Sequence, residues 1–304
     1  MDLYLIRHGE TVDNVAGLYA GVTDSALTNY GVDQINRLGK HFASSSVVFS
    51  HIFASPLSRA SKTAQAIQDA QPLSASGARI IKVPDLIEQD FGYYEKRTFQ
   101  ARTDARRTGR DAHREAHLND PGFVDVESKE AMAKRADRFL DDFLLPLFVQ
   151  PKQQGKHVVA IVSHGMLLST LWKRLLLRLS PKTVTIAAEV TASKGDIILQ
   201  HLGGWSNTGY LELVFTKAAD TATIQSGNSI ESAAACGETV KSEGVLEAPI
   251  VTTKVLSEYK LLIMSIDCKD HLNGLKRQRG GIGRSKHDEG QQKLDGFFKR
   301  QRTN

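Results

Sequence analysis

The chain has 304 residues, of which 41% are hydrophobic and 24% are charged, and its mean hydropathy is −0.27. This composition excludes a collagen-like or wholly disordered protein, and the length suits one large α/β domain or two small ones. The longest apolar runs, such as Val158–Val162, are far shorter than the roughly 18 residues needed to cross a bilayer. The amino terminus lacks a secretory signal, and the only cysteines, Cys236 and Cys268, provide no disulfide framework. We therefore expect a soluble protein of the cytoplasm or the nucleus, with no membrane association.

The net charge of +5 is concentrated at the carboxyl end of the chain. Residues 269–304 contain ten Lys or Arg and four Asp or Glu, which gives a net charge of +6. The other 268 residues carry 29 basic and 30 acidic groups and are nearly neutral. A basic tail of this kind suits a polyanion or a transport receptor, and it does not bear on the chemistry of the body.

Strands and helices alternate in the predicted secondary structure of residues 1–216. Apolar runs predict strands at residues 3–6, 47–54, 79–83, 157–163, 195–201 and 209–215. Apolar residues at helical spacing predict helices near residues 32–42, 58–70, 132–144 and 165–179. This alternation is typical of α/β proteins and predicts a three-layer α/β/α architecture with a mostly parallel sheet.

The composition changes after residue 216. Residues 217–248 contain no aromatic side chain and are rich in Ala, Ser, Thr, Gly and Glu, which predicts a flexible insertion. Residues 249–268 hold two apolar runs, at 250–255 and 259–266, which we expect to return to the sheet edge as strands. Residues 269–304 are basic and contain several glycines, and they predict a disordered tail.

Histidines and arginines lie near the ends of the predicted strands. Arg7 and His8 follow the first strand, His164 follows the strand at 157–163, and Arg59 begins the helix after the second strand. Because the carboxyl ends of parallel strands meet at one edge of a sheet, we expect these side chains to face one crevice. A neutral imidazole can attack phosphorus, arginine supplies planar donors for phosphoryl oxygens, and a helix start adds backbone N–H groups. The pattern therefore favours phosphoryl transfer through a phosphohistidine.

The first of these segments carries a recognisable signature. Arg7-His8-Gly9-Glu10-Thr11 through Asn14 resembles the R-H-G-x-T-x-x-N pattern of the histidine phosphatase superfamily, in its phosphoglycerate-mutase-like branch. The similarity continues in the family's order at residues 21–34, 55–64, 86–95 and 162–165, and it covers about residues 1–216. It implies the histidine phosphatase (phosphoglycerate mutase-like) fold for a catalytic domain at 1–216. Two positions depart from the pattern, since Ala26 replaces a proline and Lys96 replaces a glycine.

The resemblance also implies roles for individual residues. His8 would be the phosphorylated nucleophile, and Glu88 would protonate the leaving alcohol and later activate water. The other catalytic residues that the resemblance implies are Arg7, Arg59 and His164. The implied phosphate- or substrate-binding residues are Gly9, Asn14, Thr23 and Gly165. No metal ion or organic cofactor is implied, and Glu95 and Asp90 are rival carboxylates for which a solvated loop position is an equal alternative.

The segment after Glu88 bears on which molecule accepts the phosphoryl group. The family's glycolytic mutases carry an arginine directly after the acid and a tyrosine two positions later, which hold the phosphoglycerate carboxylate. Here these positions are Gln89 and Phe91, so a small dianionic acid loses its anchor and water is favoured as the acceptor. We therefore predict a phosphatase, with a phosphoglycerate mutase and a catalytically idle phosphate-binding module as the alternatives.

Residues 96–119 are rich in arginine. As a lid near the crevice they would select highly anionic phosphate esters, and a solvated helix face is an equally weighted alternative. His113 and His117 lie four residues apart, a spacing that can bind zinc, but the neighbouring arginines disfavour a cation there.

A short motif lies near the carboxyl end of the chain. Residues 291–298, with Gln291, Leu294, Phe297 and Phe298, resemble the PIP-box peptide that docks on the sliding clamp PCNA. One helical turn would place the three apolar side chains in a groove, and the glutamine in a small polar pocket. The alternative is that the two phenylalanines fold back on the domain.

Two basic runs, at 276–279 and 299–302, resemble short nuclear-import signals. Together with the clamp-binding motif they favour the nucleus. Direct nucleic-acid binding is disfavoured, because the tail offers no aromatic side chains for base stacking besides the two phenylalanines.

Overall fold

A central sheet organises the part of the chain that the structure describes. The computed structural model describes residues 1–72, 78–100, 114–115, 117–149, 156–218, 256–279 and 281–289. Its strands are β1 (Asp2–Arg7), β2 (His51–Ala54), β3 (Ile80–Lys82), β4 (Val158–Ser163), β5 (Val184–Ile186), β6 (Tyr210–Lys217) and β7 (Tyr259–Cys268). They form a seven-stranded sheet in the order β3-β2-β4-β1-β6-β7-β5. The almost fully buried apolar runs of β1 and β4 suit the centre of a sheet that is covered on both faces.

The strand pairing places two of the candidate histidines side by side. β1 pairs in parallel with β4, β2 pairs in parallel with β3 and β4, and β5 pairs in parallel with β7. β6 is antiparallel to both of its neighbours, β1 and β7. The prediction of a mostly parallel sheet is therefore confirmed. Arg7 lies opposite Ser163 in the β1–β4 register, so His8 and His164 leave the same edge of the sheet.

Helices cover both faces of the sheet. They are α1 (Val12–Ala16), α2 (Asn29–Ser44), α3 (Ser58–Asp69), α4 (Lys129–Phe139), α5 (Pro146–Val149), α6 (Gly165–Leu176) and α7 (Ala188–Lys194). Short 3₁₀ turns lie at Pro84–Leu86 and Gly92–Tyr94, and α4 continues into a π-helical segment at Leu140–Leu144. A local side chain caps the start of α2, where the hydroxyl of Thr28 accepts the N–H of Gly31 at 2.9 Å. No helix within the described ranges is long and apolar enough to cross a membrane.

The side chains of β1 alternate between two hydrophobic cores. Leu3 and Leu5 belong to the core that also contains the apolar faces of α4 and α6. Tyr4 and Ile6 belong to the core that contains those of α2 and α3. Because successive strand residues point to opposite faces, this alternation shows that the sheet is the middle layer. The predicted three-layer α/β/α architecture is therefore confirmed.

Two predicted strands differ from the structure. The strand predicted at 47–54 begins only at His51, because Ser46 has a φ of 56° and the following residues still connect α2 to β2. In this connection the N–H of Phe49 donates to the side chain of Gln71 at 3.0 Å instead of to a neighbouring strand. Residues 195–201 contain no strand, and the carbonyl of Leu199 accepts the indole N–H of Trp172 at 2.6 Å. Both errors have the same physical reason, because side chains satisfy backbone groups that a strand would otherwise pair.

The basic segment after Cys268 departs from the predicted disorder over its first part. Residues 269–279 and 281–289, which we call the C-terminal arm, lie against the body. Both guanidinium Nη atoms of Arg277 contact the carboxylate of Glu10 at 2.5 Å, and the N–H of His287 donates to the carbonyl of Leu27 at 2.9 Å. Composition could not reveal these anchors on the body. The prediction of a disordered tail is thereby restricted to residues 290–304, which lie outside the described residues. Residues 219–248 of the predicted insertion and the strand predicted at 250–255 also lie outside them.

Candidate active site

The three predicted segments meet at the carboxyl edge of β1, β2 and β4. His8 follows β1, His164 follows β4, and Arg59 lies in the first turn of α3, which follows β2. The imidazole rings of His8 and His164 have centroids 5.0 Å apart, and Arg59 Nε donates to His164 Nδ1 at 3.2 Å. The structure therefore brings together, in one cluster, side chains that are far apart in the sequence. His8 and His164 are separated by 156 residues.

His8 is held as a neutral imidazole with one nitrogen oriented by the backbone. Its Nδ1 lies 2.7 Å from the carbonyl oxygen of Gly9. Because a carbonyl only accepts, Nδ1 carries the proton and Nε2 bears the lone pair. Burial, followed by the charges of Arg59 and Arg7, holds the pKa of His8 well below its ordinary value. The ring is therefore unprotonated at Nε2 near neutral pH and can act as a nucleophile there.

His164 is fixed in the opposite tautomer. Its Nδ1 accepts from Arg59, which can only donate, so the proton lies on Nε2, 2.9 Å from the hydroxyl oxygen of Ser55. The side chain is fully buried, and burial, together with Arg59, His8, Arg7 and Arg135, lowers its pKa well below the ordinary value. Both ring nitrogens bind side chains of the protein, so His164 packs against His8 as a neutral ring.

Arg59 ties α3 to the loop that follows α1. Its Nη1 donates to the carbonyl of Thr23 at 3.0 Å, and its Nη2 donates to the carbonyls of Ala20 and Gly21 at 3.0 and 2.7 Å. The side chain is 1% exposed, so its charge acts in a low-dielectric environment. Arg59 therefore supplies a positive potential to the two histidines while its nitrogens organise the surrounding loop.

Arg7 has a buried nitrogen that is unpaired among the described residues. Its Nη1 donates to the carbonyl of Trp205, whereas Nε is buried and has no hydrogen-bond partner in the part of the chain that the structure describes. A Cβ built on Gly165 would lie 3.9 Å from this Nε, so the glycine at the start of α6 leaves space beside it. A buried unpaired guanidinium donor is costly, and an anionic ligand would satisfy it.

Glu88 lies at the amino-terminal end of α6. One carboxylate oxygen accepts the N–H groups of Gln89 and Leu167 at 2.9 and 3.1 Å, and the other accepts that of Met166 at 3.1 Å. The carboxyl is 8% exposed and interacts electrostatically with Arg7. These bonds fix the carboxyl group at the same helix start that borders the histidine pair.

The four predicted phosphate- or substrate-binding residues lie around this cluster. Gly9 N–H donates to the hydroxyl of Thr63 at 3.1 Å, and a Cβ on Gly9 would lie only 2.6 Å from Ile35. Asn14 Oδ1 accepts the N–H of Thr11 at 3.2 Å in a capping box at the start of α1. The remaining two, Thr23 and Gly165, lie on the Arg59-bound loop and at the first residue of α6.

Glu95 has a structural role in the loop around Gly21. Its carboxylate accepts the N–H groups of Gly21 at 3.1 Å, Thr23 at 3.2 Å and Phe91 at 3.0 Å. Lys96, which follows it, has a φ of 60°, a conformation that a glycine adopts more easily, and its ammonium pairs with Asp13. The departure from glycine therefore places a lysine in a left-handed conformation and adds an ion pair.

Neither position that would anchor a phosphoglycerate carboxylate offers a cation. Gln89 is 4% exposed and donates through Nε2 to the carbonyl of Glu127 at 2.9 Å. Phe91 is 5% exposed and packs against Tyr19 with ring centroids 4.5 Å apart. Asp90 is also used internally, since its carboxylate accepts the N–H of Gly92 at 2.7 Å.

Sequence reasoning missed the loop before β6. Asn207 Nδ2 donates to the carbonyl of His8 at 3.2 Å and to Asn14 Oδ1 at 3.0 Å. The N–H of Thr208 lies within 3.2 Å of the carbonyls of both Arg7 and His8. Because β6 is antiparallel to β1, the loop that precedes it reaches the edge where β1 ends. The run of polar and turn-forming residues from Ser206 to Gly209 is the only signal in the sequence that marks this loop.

The predicted lid and metal spacing fall largely outside the described residues. Arg114 forms an ion pair with Asp125 at 3.0 Å, and His117 Nδ1 lies 2.8 Å from the carboxylate of Asp120. Residues 101–113, which include His113, are not described. Within the described ranges, no group of three or more His, Cys, Asp or Glu side chains is arranged to hold a metal ion. The clamp-binding motif at 291–298 also lies outside them.

Comparison with known proteins identifies relatives of known family. The sequence matches the profile of the histidine phosphatase superfamily (branch 1) over residues 3–192. It is 33% identical over 177 residues to the probable phosphoglycerate mutase GpmB of Erwinia tasmaniensis, which covers 58% of this chain and 75% of that protein. It is also 33% identical over 180 residues to the GpmB protein of Enterobacter sp., with the same coverage of 58% and 75%.

Solved structures share the fold at lower identity. Mycobacterial hydrolase 1 superimposes with a TM-score of 0.55 at 18% identity, covering 88% of this chain and 99% of that one. The mycobacterial glucosyl-3-phosphoglycerate phosphatase superimposes with a TM-score of 0.52 at 22% identity, covering 71% and 91%. The chain therefore belongs to branch 1 of the histidine phosphatase superfamily.

Proposed function

We propose that the protein hydrolyses phosphate monoesters through a covalent phosphohistidine at His8. The observation that carries this proposal is the state of the His8 ring: Nδ1 is bound to the Gly9 carbonyl, and burial and two arginines lower the pKa of the ring. A neutral, oriented imidazole beside the unpaired Nε of Arg7 suits attack on a phosphoryl group.

In the first step, His8 Nε2 forms a bond to phosphorus while the bond from phosphorus to the ester oxygen breaks. The carboxyl of Glu88 gives a proton to the leaving alkoxide, so an alcohol departs. Arg7 supplies hydrogen-bond donors and Arg59 supplies positive charge where charge spreads over the phosphoryl oxygens. These fixed cations serve the function that a metal ion has in other phosphatases, so we expect turnover without added metal.

In the second step, water attacks phosphorus and the bond to His8 Nε2 breaks. The Glu88 carboxylate takes the proton of the water, which regenerates its protonated form and releases inorganic phosphate. Two easier displacements thus replace one difficult displacement.

Replacement of His8 by Ala tests the mechanism. We expect loss of 4-nitrophenyl phosphate turnover and of acid-labile, base-stable phosphoenzyme in rapidly quenched samples analysed by mass spectrometry. His201→Ala, which changes an exposed histidine, is the control and should retain both signals. Unchanged turnover by His8→Ala would contradict the mechanism, as would full activity loss on treatment with a chelator.

We favour water as the acceptor because this chain lacks the arginine and the tyrosine that hold the phosphoglycerate carboxylate in the mutases. Gln89 and Phe91 are buried and bind protein groups, so a phosphoglycerate carboxylate would find no cation there. Two relatives are named probable phosphoglycerate mutases, which makes mutase activity the specific alternative. A coupled assay for 2-phosphoglycerate formation from 3-phosphoglycerate separates the two activities. Substrate binding without release of phosphate would instead support an idle phosphate-binding module.

We also propose that residues 291–298 dock on the sliding clamp PCNA and hold the enzyme in the nucleus. The support comes from the motif and from the course of the C-terminal arm, which runs beside α2 to Glu289, where Lys62 contacts its carboxylate at 2.5 Å. The motif begins two residues later. Arg277 of the first basic run is paired with Glu10, so we propose that the second basic run, at 299–302, serves as the nuclear-import signal.

Binding of the full chain to immobilised clamp tests this second proposal. We expect micromolar affinity for the wild-type protein and for the peptide 286–304, and loss of binding when Phe297 and Phe298 are both changed to Ala. Absence of binding by the intact chain would end the proposal without affecting the phosphatase.

A further inference from the structure

Arg135 binds the backbone of the loop that carries Glu88. This arginine lies on α4, and its Nη1 donates to the carbonyls of Asp85 and Ile87 at 2.8 and 2.6 Å. Its Nη2 donates to the carbonyl of Glu88 itself at 3.1 Å. One guanidinium therefore satisfies three backbone carbonyls in the segment that runs from the 3₁₀ turn at Pro84–Leu86 to Glu88.

Glu127 completes the connection from the other side. Its two carboxylate oxygens accept Arg135 Nε and Nη2 at 2.8 and 2.9 Å, a bidentate pair. Its own backbone N–H donates to the carbonyl of Asp90 at 2.8 Å, and its carbonyl accepts Gln89 Nε2 at 2.9 Å. The loop is thus held immediately before Glu88 by Arg135 and immediately after it by Glu127.

The pair is built to be rigid. Arg135 is 8% exposed, and its helix packs into the main core through Met132, Ala136 and Phe139. Breaking a buried bidentate pair leaves an uncompensated charge, so the side chains cannot leave this arrangement at low cost. The charge of Arg135 also acts on His164, since it is the last of the groups, after burial, Arg59, His8 and Arg7, that lower the pKa of His164.

We propose that Arg135 and Glu127 are a positioning pair that sets the place of the Glu88 carboxyl for proton transfer to the leaving oxygen. The inference rests on the proposed role of Glu88. Neither residue of the pair touches the reacting atoms, and both act through the backbone of residues 85–90. A general acid must lie within about 2.6–3.2 Å of the oxygen that it protonates, and a displacement of about 1 Å can cost a hundredfold in rate.

Leaving-group dependence separates a positioning role from a merely structural one. Glu88 assists the departure of the alcohol, so its loss matters most when the leaving oxygen is basic. Phenyl phosphate releases a phenolate about as basic as that of tyrosine, with a pKa of about 10. The leaving group of 4-nitrophenyl phosphate is far less basic and needs little protonation. We compare kcat/KM for the two esters, because it reports steps only through formation of the phosphoenzyme.

Glu88→Gln is the reference variant and Arg135→Lys and Glu127→Gln are the test variants. Lysine keeps the charge of Arg135 but cannot reach three carbonyls and a carboxylate from one nitrogen, and glutamine keeps the shape of Glu127. We expect Glu88→Gln to lower kcat/KM for phenyl phosphate by about a hundredfold or more, and for 4-nitrophenyl phosphate by less than about tenfold. The two test variants should show the same selectivity for phenyl phosphate with losses of about 10- to 100-fold.

Arg178→Lys is the matched control. Arg178 is 3% exposed, donates to the carbonyl of Arg174 at 3.2 Å and pairs with Asp137 and Asp141 at 2.9 and 2.6 Å. It is therefore a buried arginine with similar partners that does not contact the Glu88 loop. We expect a comparable fall in the thermal unfolding temperature and equal effects on the two esters.

The possible outcomes distinguish the two proposals. If Glu88→Gln discriminates between the esters and Arg135→Lys and Glu127→Gln do not, the positioning pair is refuted and the mechanism stands. If Glu88→Gln itself does not discriminate, the acid role assigned to Glu88 fails, and with it the positioning role. If Arg135→Lys fails to fold, the isosteric Glu127→Gln decides the same question. Lack of further selectivity in the Glu88→Gln/Arg135→Lys double variant would support action through Glu88.

Discussion

The C-terminal arm contributes a histidine that should make the stability of the protein depend on pH. His271 is 6% exposed, and its Nε2 lies 2.8 Å from the hydroxyl of Thr208, whose backbone binds the carbonyls on either side of the nucleophile. Burial lowers the pKa of His271 to about 4, with His41 lowering it further, Asp270 opposing and Arg37 adding to the fall. The perturbation that tests this coupling is His271→Gln, which keeps a hydrogen-bonding side chain and removes the titration.

The sign and size follow from proton linkage. In the unfolded chain the pKa of a histidine is about 6.5. Between this pH and about pH 4, His271 is therefore mostly protonated in the unfolded state and mostly neutral in the folded state. The group adds nothing above pH 6.5, and its destabilising effect grows as the pH falls towards 4. With a folded pKa of about 4, the wild type loses about 2 kcal/mol of unfolding free energy at pH 5 relative to pH 8 through this group. His271→Gln lacks this loss.

Urea unfolding, followed by tryptophan fluorescence and circular dichroism at pH 8 and pH 5, measures the difference. We expect the pH-dependent loss to be about 2 kcal/mol smaller in His271→Gln than in the wild type. His201→Gln, which removes an exposed histidine, should behave like the wild type because that side chain is solvated in both states. Equal pH dependence in His271→Gln and the wild type would refute the reasoning and show that the arm leaves Thr208 before the histidine titrates.

Two further predictions concern contacts near the site. A Cβ on Gly21 would lie 2.1 Å from the carbonyl of Gln89, so Gly21→Ala should cost about 1–3 kcal/mol of unfolding free energy and lower kcat/KM for 4-nitrophenyl phosphate. Gly204→Ala has no atom within 4 Å of the added carbon, and equal effects of the two would contradict this. Arg277→Ala removes the bidentate pair with Glu10 and should cost about 1 kcal/mol. It should also speed tryptic cleavage within the arm, whereas unchanged cleavage, as in the exposed control Arg279→Ala, would contradict that role.

The sequence predicts most of the sheet because its strands are apolar runs between polar turns. β1 and β4 are buried on both faces and stand out for this reason, whereas β5 has only three residues and gives no periodic signal. The strand predicted at 195–201 shows the opposite error. There an apolar run lies over the helices, because the indole of Trp172 binds a backbone carbonyl that a strand would have used.

The candidate site was predictable to the extent that its residues follow strands in the chain. His8, His164 and Arg59 come from strand ends and a helix start, which the parallel topology brings to one edge. Asn207 and Thr208 were not predictable in this way, because their loop reaches the edge only through the antiparallel direction of β6. Arg135 is hidden for another reason, since three of its partners are backbone carbonyls, which every residue type carries and which leave no signal in the sequence.

Two of the three carboxylates in residues 88–95, Glu88 and Glu95, illustrate what the sequence could not separate. Glu88 and Glu95 each accept three or more backbone N–H contacts, so hydrogen bonding alone does not distinguish them. Their locations do. Glu95 binds the N–H of Gly21, and the carbonyl of Gly21 in turn accepts Arg59 Nη2, so loss of Glu95 would free the loop that positions Arg59. Glu88 binds the start of α6 and interacts electrostatically with Arg7, which precedes the proposed nucleophile, so of these two carboxyls it is Glu88 whose location suits the proposed acid role.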